Sequence, residues 1–174
     1  MAPLITDGTG SANSLSLKQI ALGIVPSAST LSPWPAELPL WQDVPPTQQQ
    51  AACRLMELYA GYATHTDAQI GRLVDFLEAA NLADDTLLIL GDNGASAEGG
   101  LIGTLNEFTA INGFVDDAER ILAAGDALGG PDTYPHYPAG WALAMNTPYS
   151  WTKQVASHYG GTRNGMIAPL AQWD

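Results

Sequence analysis

The sequence predicts an α/β domain, a mixed sheet flanked by helices, on three observations. The run Thr86-Leu87-Leu88-Ile89-Leu90 is short, apolar and stopped by Gly91-Asp92-Asn93-Gly94, the pattern of a strand buried on both faces. A long helical periodicity feeds directly into it. Residues 166–170 offer a further strand, with Pro169 confined to an edge or end. Two or three strands and one long helix make a thin sheet for 174 residues, and the last strand runs to the terminus uncovered. The expectation is therefore part of a larger α/β domain, incomplete at both ends.

The elements follow in order. Residues 1–16 are rich in Gly, Ser and Thr without periodicity and are expected to be loose. Prolines at 26, 33, 35, 39, 45 and 46 forbid helix and central strand, so this stretch is extended over a surface. After Pro46, Thr47-Gln48-Gln49-Gln50 spells a capping box. Leu55, Leu58, Tyr59, Tyr62, Thr66, Ile70, Leu73, Val74 and Leu77 then recur at helical spacing, which predicts one amphipathic helix over 47–81. Beyond the Asp-Asn-Gly turn lies a glycine-rich loop (Gly99, Gly100, Gly103), then a shorter helix over about 115–124. Asp116 and Asp117 fall in its first turn, where the helix dipole favours acids. Gly129-Gly130-Pro131 ends it. Residues 131–150 read as a long irregular segment dense in Pro, Tyr and Trp, the type that carries function.

Composition narrows the partners. A net charge of −12 with six Lys and Arg argues against nucleic acid and anionic membrane. An anionic small substrate remains open, because a bound cation and one or two local bases can reverse the field in a pocket. The single cysteine, Cys53, excludes an intrachain disulfide framework and a thiolate zinc cluster. The first sixteen residues lack a secretory signal pattern, and no apolar run approaches a membrane span. The expectation is a soluble, unexported chain as it stands, with an exported parent left open.

Asp92 and Asn93, delivered at the end of a strand, offer the hard oxygens that Ca²⁺ or Mg²⁺ prefers. From these residues alone, a plain turn at Asn93-Gly94 is the favoured reading. Lys153 alone reads as a solvated surface lysine.

Collinear motifs alter that balance. Leu22-Gly23-Ile24-Val25-Pro26 and Pro33-Trp34-Pro35 are followed by Tyr59-Ala60-Gly61-Tyr62, His65-Thr66-Asp67 and Ile70-Gly71-Arg72-Leu73. Then come Gly91-Asp92-Asn93-Gly94-Ala95-Ser96, Glu98-Gly99-Gly100, Asn106-Glu107, Tyr134, His136-Tyr137-Pro138, Gly140-Trp141-Ala142 and Asn146-Thr147-Pro148. Lys153 and His158-Tyr159-Gly160-Gly161-Thr162-Arg163 close the series. In this order they resemble the bacterial arylsulfatases, in the type I sulfatase family of the alkaline phosphatase superfamily.

The resemblance implies a sulfatase-like mixed sheet. Residues 1–21 stand as a loose leader outside the family, and 22–174 as a partial catalytic domain. It implies a sulfuric ester hydrolase acting on a small sulfate ester, with Asp92 and Asn93 as two ligands of a divalent cation, usually Ca²⁺. Lys153 is then the catalytic and sulfate-binding lysine. His136 and His158 are candidate substrate contacts, each weighed against a structural role. Arg163 is expected to tie its loop down by bidentate bonding rather than to bind an anion.

Departures from the family matter as much. Its formylglycine nucleophile arises from Cys (or Ser) in Cys-x-Pro-x-Arg, whereas the lone cysteine here reads Cys53-Arg54-Leu55-Met56-Glu57 inside a helix. Cys53 is a packing residue on this reading. The two leading acids of the metal site have no counterpart either. The chain is thus expected to be an interior fragment, inactive alone. Two other functions stay open: a non-catalytic remnant or weak metal-binding module, and a phosphate or phosphonate monoester hydrolase of the same superfamily.

Overall fold

The long helix dominates the architecture. The protein, seen in a computed structural model, is described over residues 8–89, 91 and 93–163. Its helices are α1 (Gly8–Ala21), α2 (Pro46–Ala79), α3 (Glu107–Ile111), α4 (Ala118–Ala123), α5 (Ala139–Met145) and α6 (Tyr159–Thr162). Short 3-10 turns occupy Trp41–Asp43, Ala83–Asp85 and Gly125–Ala127.

α2 fulfils the predicted periodicity within two residues at its end, but not its predicted cap. Pro46 takes the first helical position and Pro45 is the N-cap, with no side-chain capping bond, so Thr47 and Gln50 form no box. Proline suits that position because its missing N–H would be unsatisfied there anyway. Only the first turns of α2 are buried, through Ala51, Ala52 and Leu55. They meet Ile121 of α4, Leu128 and, from α5, Trp141, Ala142 and Ala144, which together form the core. Cys53 packs against this core, and burial, seconded by the nearby Glu57 charge, pushes its thiol up.

Three expectations change. The amino-terminal stretch is helical from Gly8 rather than loose. Its small residues Ala12 and Ser16, one turn apart, are buried where α1 lies against α5. Gln19 Nε2 adds a 2.9 Å bond to the Thr147 carbonyl. Within 131–150, residues 139–145 form α5, started behind Pro138. The predicted strand at 86–90 is not a paired strand over its described part. Thr86 has extended angles (φ −116°, ψ 123°), yet Leu87 and Ile89 are 59% and 61% exposed. Strand identity comes from a neighbouring ladder. Among the described residues the only β-pairing is two isolated bridges, Thr104 with His136 and Asn106 with Tyr134. Leu90 and the strand expected at 166–170 lie outside the described residues, so the mixed sheet is not seen among them. No helix among the described residues is long and apolar enough to cross a membrane.

The second predicted helix starts at Ala118, so Asp116 and Asp117 precede it rather than lying in its first turn. Asp117 caps α4 by accepting from Arg120 N at 2.7 Å. Asp116 is buried and accepts from Leu105 N (2.8 Å), Thr104 Oγ1 (3.2 Å) and Arg120 (3.2 Å). It thereby anchors the backbone that carries the bridges.

Candidate functional site

The two segments that carry the candidate residues are laced together by backbone. Gly94 N donates to the Gly161 carbonyl (3.2 Å), and Lys153 N donates to the Ala95 carbonyl (2.9 Å). Asn146, the C-cap of α5, fastens both sides at once. Its Oδ1 accepts from Ala95 N at 3.0 Å, and its Nδ2 donates to the Trp151 and Gly160 carbonyls at 2.9 Å each. A methyl group on Gly94 would overlap the Gly160 carbonyl, and one on Gly160 would overlap the Ser150 and Trp151 carbonyls. Only glycine permits so close an approach.

Lys153 points its ammonium at Glu98, with Nζ at 3.1 and 3.0 Å from the two carboxylate oxygens. Gln154 Nε2 donates to Glu98 Oε1 at 2.8 Å, and the Ser96 hydroxyl donates to Oε2. Lys153 is bracketed by two left-handed non-glycine residues, Trp151 (φ 65°) and Gln154 (φ 76°). Each such conformation costs roughly 1–2 kcal/mol and persists only where its surroundings over-determine it.

Glu98 is held below its ordinary carboxyl value of 4.5, chiefly by the Ser96 hydrogen bond. Burial opposes this, while Lys153 and then the His136 charge add to it. A carboxyl depressed by folding contributes stability that is complete above about pH 4.5 and lost as pH falls through its lower folded value. Glu98→Gln removes this contribution. The gap in melting temperature between wild type and variant is therefore expected to be widest above about pH 4.5 and to close on further acidification. Parallel melts across that range check it.

The remaining predicted residues separate. Asn93 is exposed in a bend immediately before the tied Gly94; Asp92 lies outside the described residues. His136 stands near Glu98: one of its ring nitrogens and one carboxylate oxygen each from Glu98 and Glu107 lie within 4.8 Å of one another. Its Nδ1 faces the Tyr137 carbonyl at 2.8 Å. A carbonyl only accepts, so Nδ1 carries the proton and the ring is oriented by the backbone. His158 is the exposed N-cap residue of α6, with Nδ1 2.9 Å from Ser157 Oγ. It lines an open hollow with Ser32, Tyr149 and Tyr159 rather than joining Glu98. Arg163 ties its loop through ring faces, 5.3 Å from the Tyr149 centroid and 5.9 Å from that of Tyr159. The sequence had suggested bidentate bonding there.

Glu98, Asn146 and Gln154 carry this geometry, and sequence reasoning assigned none of them a role. The first two stood inside quoted motifs, Glu98-Gly99-Gly100 and Asn146-Thr147-Pro148, and that was their only signal.

The sulfatase family profile matches residues 27–169. An arylsulfatase of Klebsiella aerogenes is 29% identical over 129 residues, covering 73% of this chain and 26% of that protein. A Schizosaccharomyces pombe protein described as an uncharacterized sulfatase is 28% identical over 127 residues, 71% of this chain and 21% of that protein. The chain thus spans between a fifth and about a quarter of the length of these relatives.

Proposed function

Because the chain belongs to the sulfatase family, we propose that residues 22–174 supply part of a sulfuric ester hydrolase site, with Lys153 as its sulfate-binding and leaving-group lysine. The supporting observation is the double fastening of Lys153, by backbone to Ala95 and by side chain to Glu98, onto the loop that follows Asp92-Asn93. An ammonium fixed beside a metal-ligand loop can neutralise charge that develops on sulfuryl and leaving-group oxygens. His158 is exposed at the start of α6 and open to a ligand in its own hollow, whereas His136 is the histidine beside Glu98. His136, oriented by Tyr137 and flanked by two glutamates, shapes the loop.

Sulfatases generally use a divalent metal, and the donors here suit Ca²⁺ in kind though not in number. Asp92 and Asn93 offer hard oxygens, and Asn93 precedes a loop pinned at Gly94 and Ala95. A Ca²⁺ shell takes six to eight oxygens, so these residues would be two ligands among several. When bound, the cation withdraws charge from the sulfuryl oxygens. Two donors carrying one charge should bind Ca²⁺ weakly, on the order of millimolar or worse. The trio Glu98, Glu107 and His136 is a poorer candidate, because four side-chain donor contacts already fill the lone pairs of Glu98.

Attack on sulfur needs a nucleophile, and the family's Cys-x-Pro-x-Arg pattern is absent from this sequence. The purified 174-residue chain is therefore expected to show no turnover of a chromogenic aryl sulfate. In a full-length sulfatase carrying this segment, Asp92→Ala should abolish turnover together with bound metal. Lys153→Ala should lower kcat by about 10²–10³-fold with metal retained. Turnover by the isolated chain, or an active Lys153→Ala enzyme, overturns the proposal.

A further inference from the structure

A lysine at the surface of a protein is ordinarily a mobile charge, and an exposed ion pair fixes it only loosely. Lys153 is different on four counts. Its backbone N–H is bound to Ala95, and its ammonium bridges both oxygens of Glu98. Trp151, two residues before it, and Gln154, the residue after it, hold left-handed conformations that a free loop would relax. The next side chain, Gln154, reaches the same carboxylate.

Glu98 is equally constrained from its own side. Ser96 Oγ donates to its Oε2 and accepts from its backbone N at 3.3 Å, so the carboxylate is held by the turn that carries it. That turn begins at Asn93-Gly94 and is fastened to α5 through Asn146. One carboxylate therefore joins the loop after Asp92-Asn93 to the loop of Lys153.

We infer that Glu98 is a positioning residue for Lys153, holding its ammonium in place for a sulfate group that Lys153 binds. The inference rests on the reading of Lys153 as a sulfate ligand. Two effects of Glu98 on a bound anion have opposite sign, which makes the role testable. Its negative charge repels sulfate, so removing the charge alone would tighten sulfate binding. Its hold on the ammonium pre-organises the contact, so removing the hold weakens sulfate binding. With three side chains making four contacts to the carboxylate, the hold dominates.

The test uses amine acylation of the whole chain, mapped by mass spectrometry, with inorganic sulfate and Ca²⁺ as probes. Lys18, the other of the two lysines, is the internal reference. Sulfate is expected to protect wild-type Lys153 relative to Lys18. In Glu98→Gln the sulfate concentration for half-protection should rise about tenfold. Gln154→Ala, which leaves the Glu98 charge in place, should raise it about two- to threefold, and it decides the matter if Glu98→Gln fails to fold. Unchanged or tighter protection in the variants overturns the positioning role while leaving Lys153 a sulfate ligand. No protection of Lys153 in the wild type overturns the reading of the site itself.

Discussion

Gly94→Ala is expected to destabilise the chain by about 2–3 kcal/mol, lowering the melting temperature by roughly 5–10 °C. The added methyl would overlap the Gly160 carbonyl and press on Asn146 Nδ2, 3.4 Å away. Neither group can yield cheaply, because one is backbone and the other already donates to two carbonyls. The two laced segments must part, and the Gly94–Gly161 and Ala95–Asn146 bonds go with them. Gly61→Ala is the matched control. Nothing lies within 4 Å of the added atom there, and in the helix interior it should stabilise by about 0.5–1 kcal/mol. Scanning calorimetry of both variants checks the pair; a Gly94→Ala protein as stable as wild type would mean the close approach is absent.

Trp141→Ala is expected to cost still more, about 3–5 kcal/mol, a large share of the roughly 5–15 kcal/mol that stabilises a typical domain. Trp141 is 4% exposed and packs at 5.9 Å, tilted, against Trp41. It lies in α5, whose C-cap is Asn146, so the cavity left behind loosens the residue that ties the candidate site together. Trp141→Phe retains most of the apolar ring and should cost well under half as much. Urea unfolding with an unchanged slope separates lost stability from an altered native state.

Much of this is legible in the sequence where the signal is local. Nine residues at helical spacing gave α2, because a periodic stripe needs no knowledge of its partner. The density of prolines gave the extended segment before it. α5 was missed because seven residues hold two turns, too few for periodicity to stand out from the Pro- and Tyr-rich surroundings. The cap of α2 was misread because Thr47 and Gln50 have the capping-box spelling two residues too late, after Pro46 has already begun the helix. The strand at 86–90 was inferred from composition, whereas strand identity lies in a neighbouring ladder. Asn93 and Lys153 were singled out by collinear motifs alone. Glu98 and Asn146 act across 55 and 51 residues of sequence, and no spacing rule announces such contacts.

The distal half of α2 has a consequence for how the chain behaves in bulk solution. Beyond Leu55 no residue of the helix is buried, and Tyr62, Leu73 and Phe76 are 68%, 45% and 63% exposed, with Leu87 and Ile89 open just beyond it. Such a ridge is adhesive between copies, while a net charge of −12 pushes copies apart. Colloidal dispersion of the chain therefore depends on a repulsion that reaches only about 8–10 Å at physiological salt and shrinks as salt is added. Salting the solution, or acidifying it toward the isoelectric point near 4.2, dismantles the barrier and leaves the ridge to act.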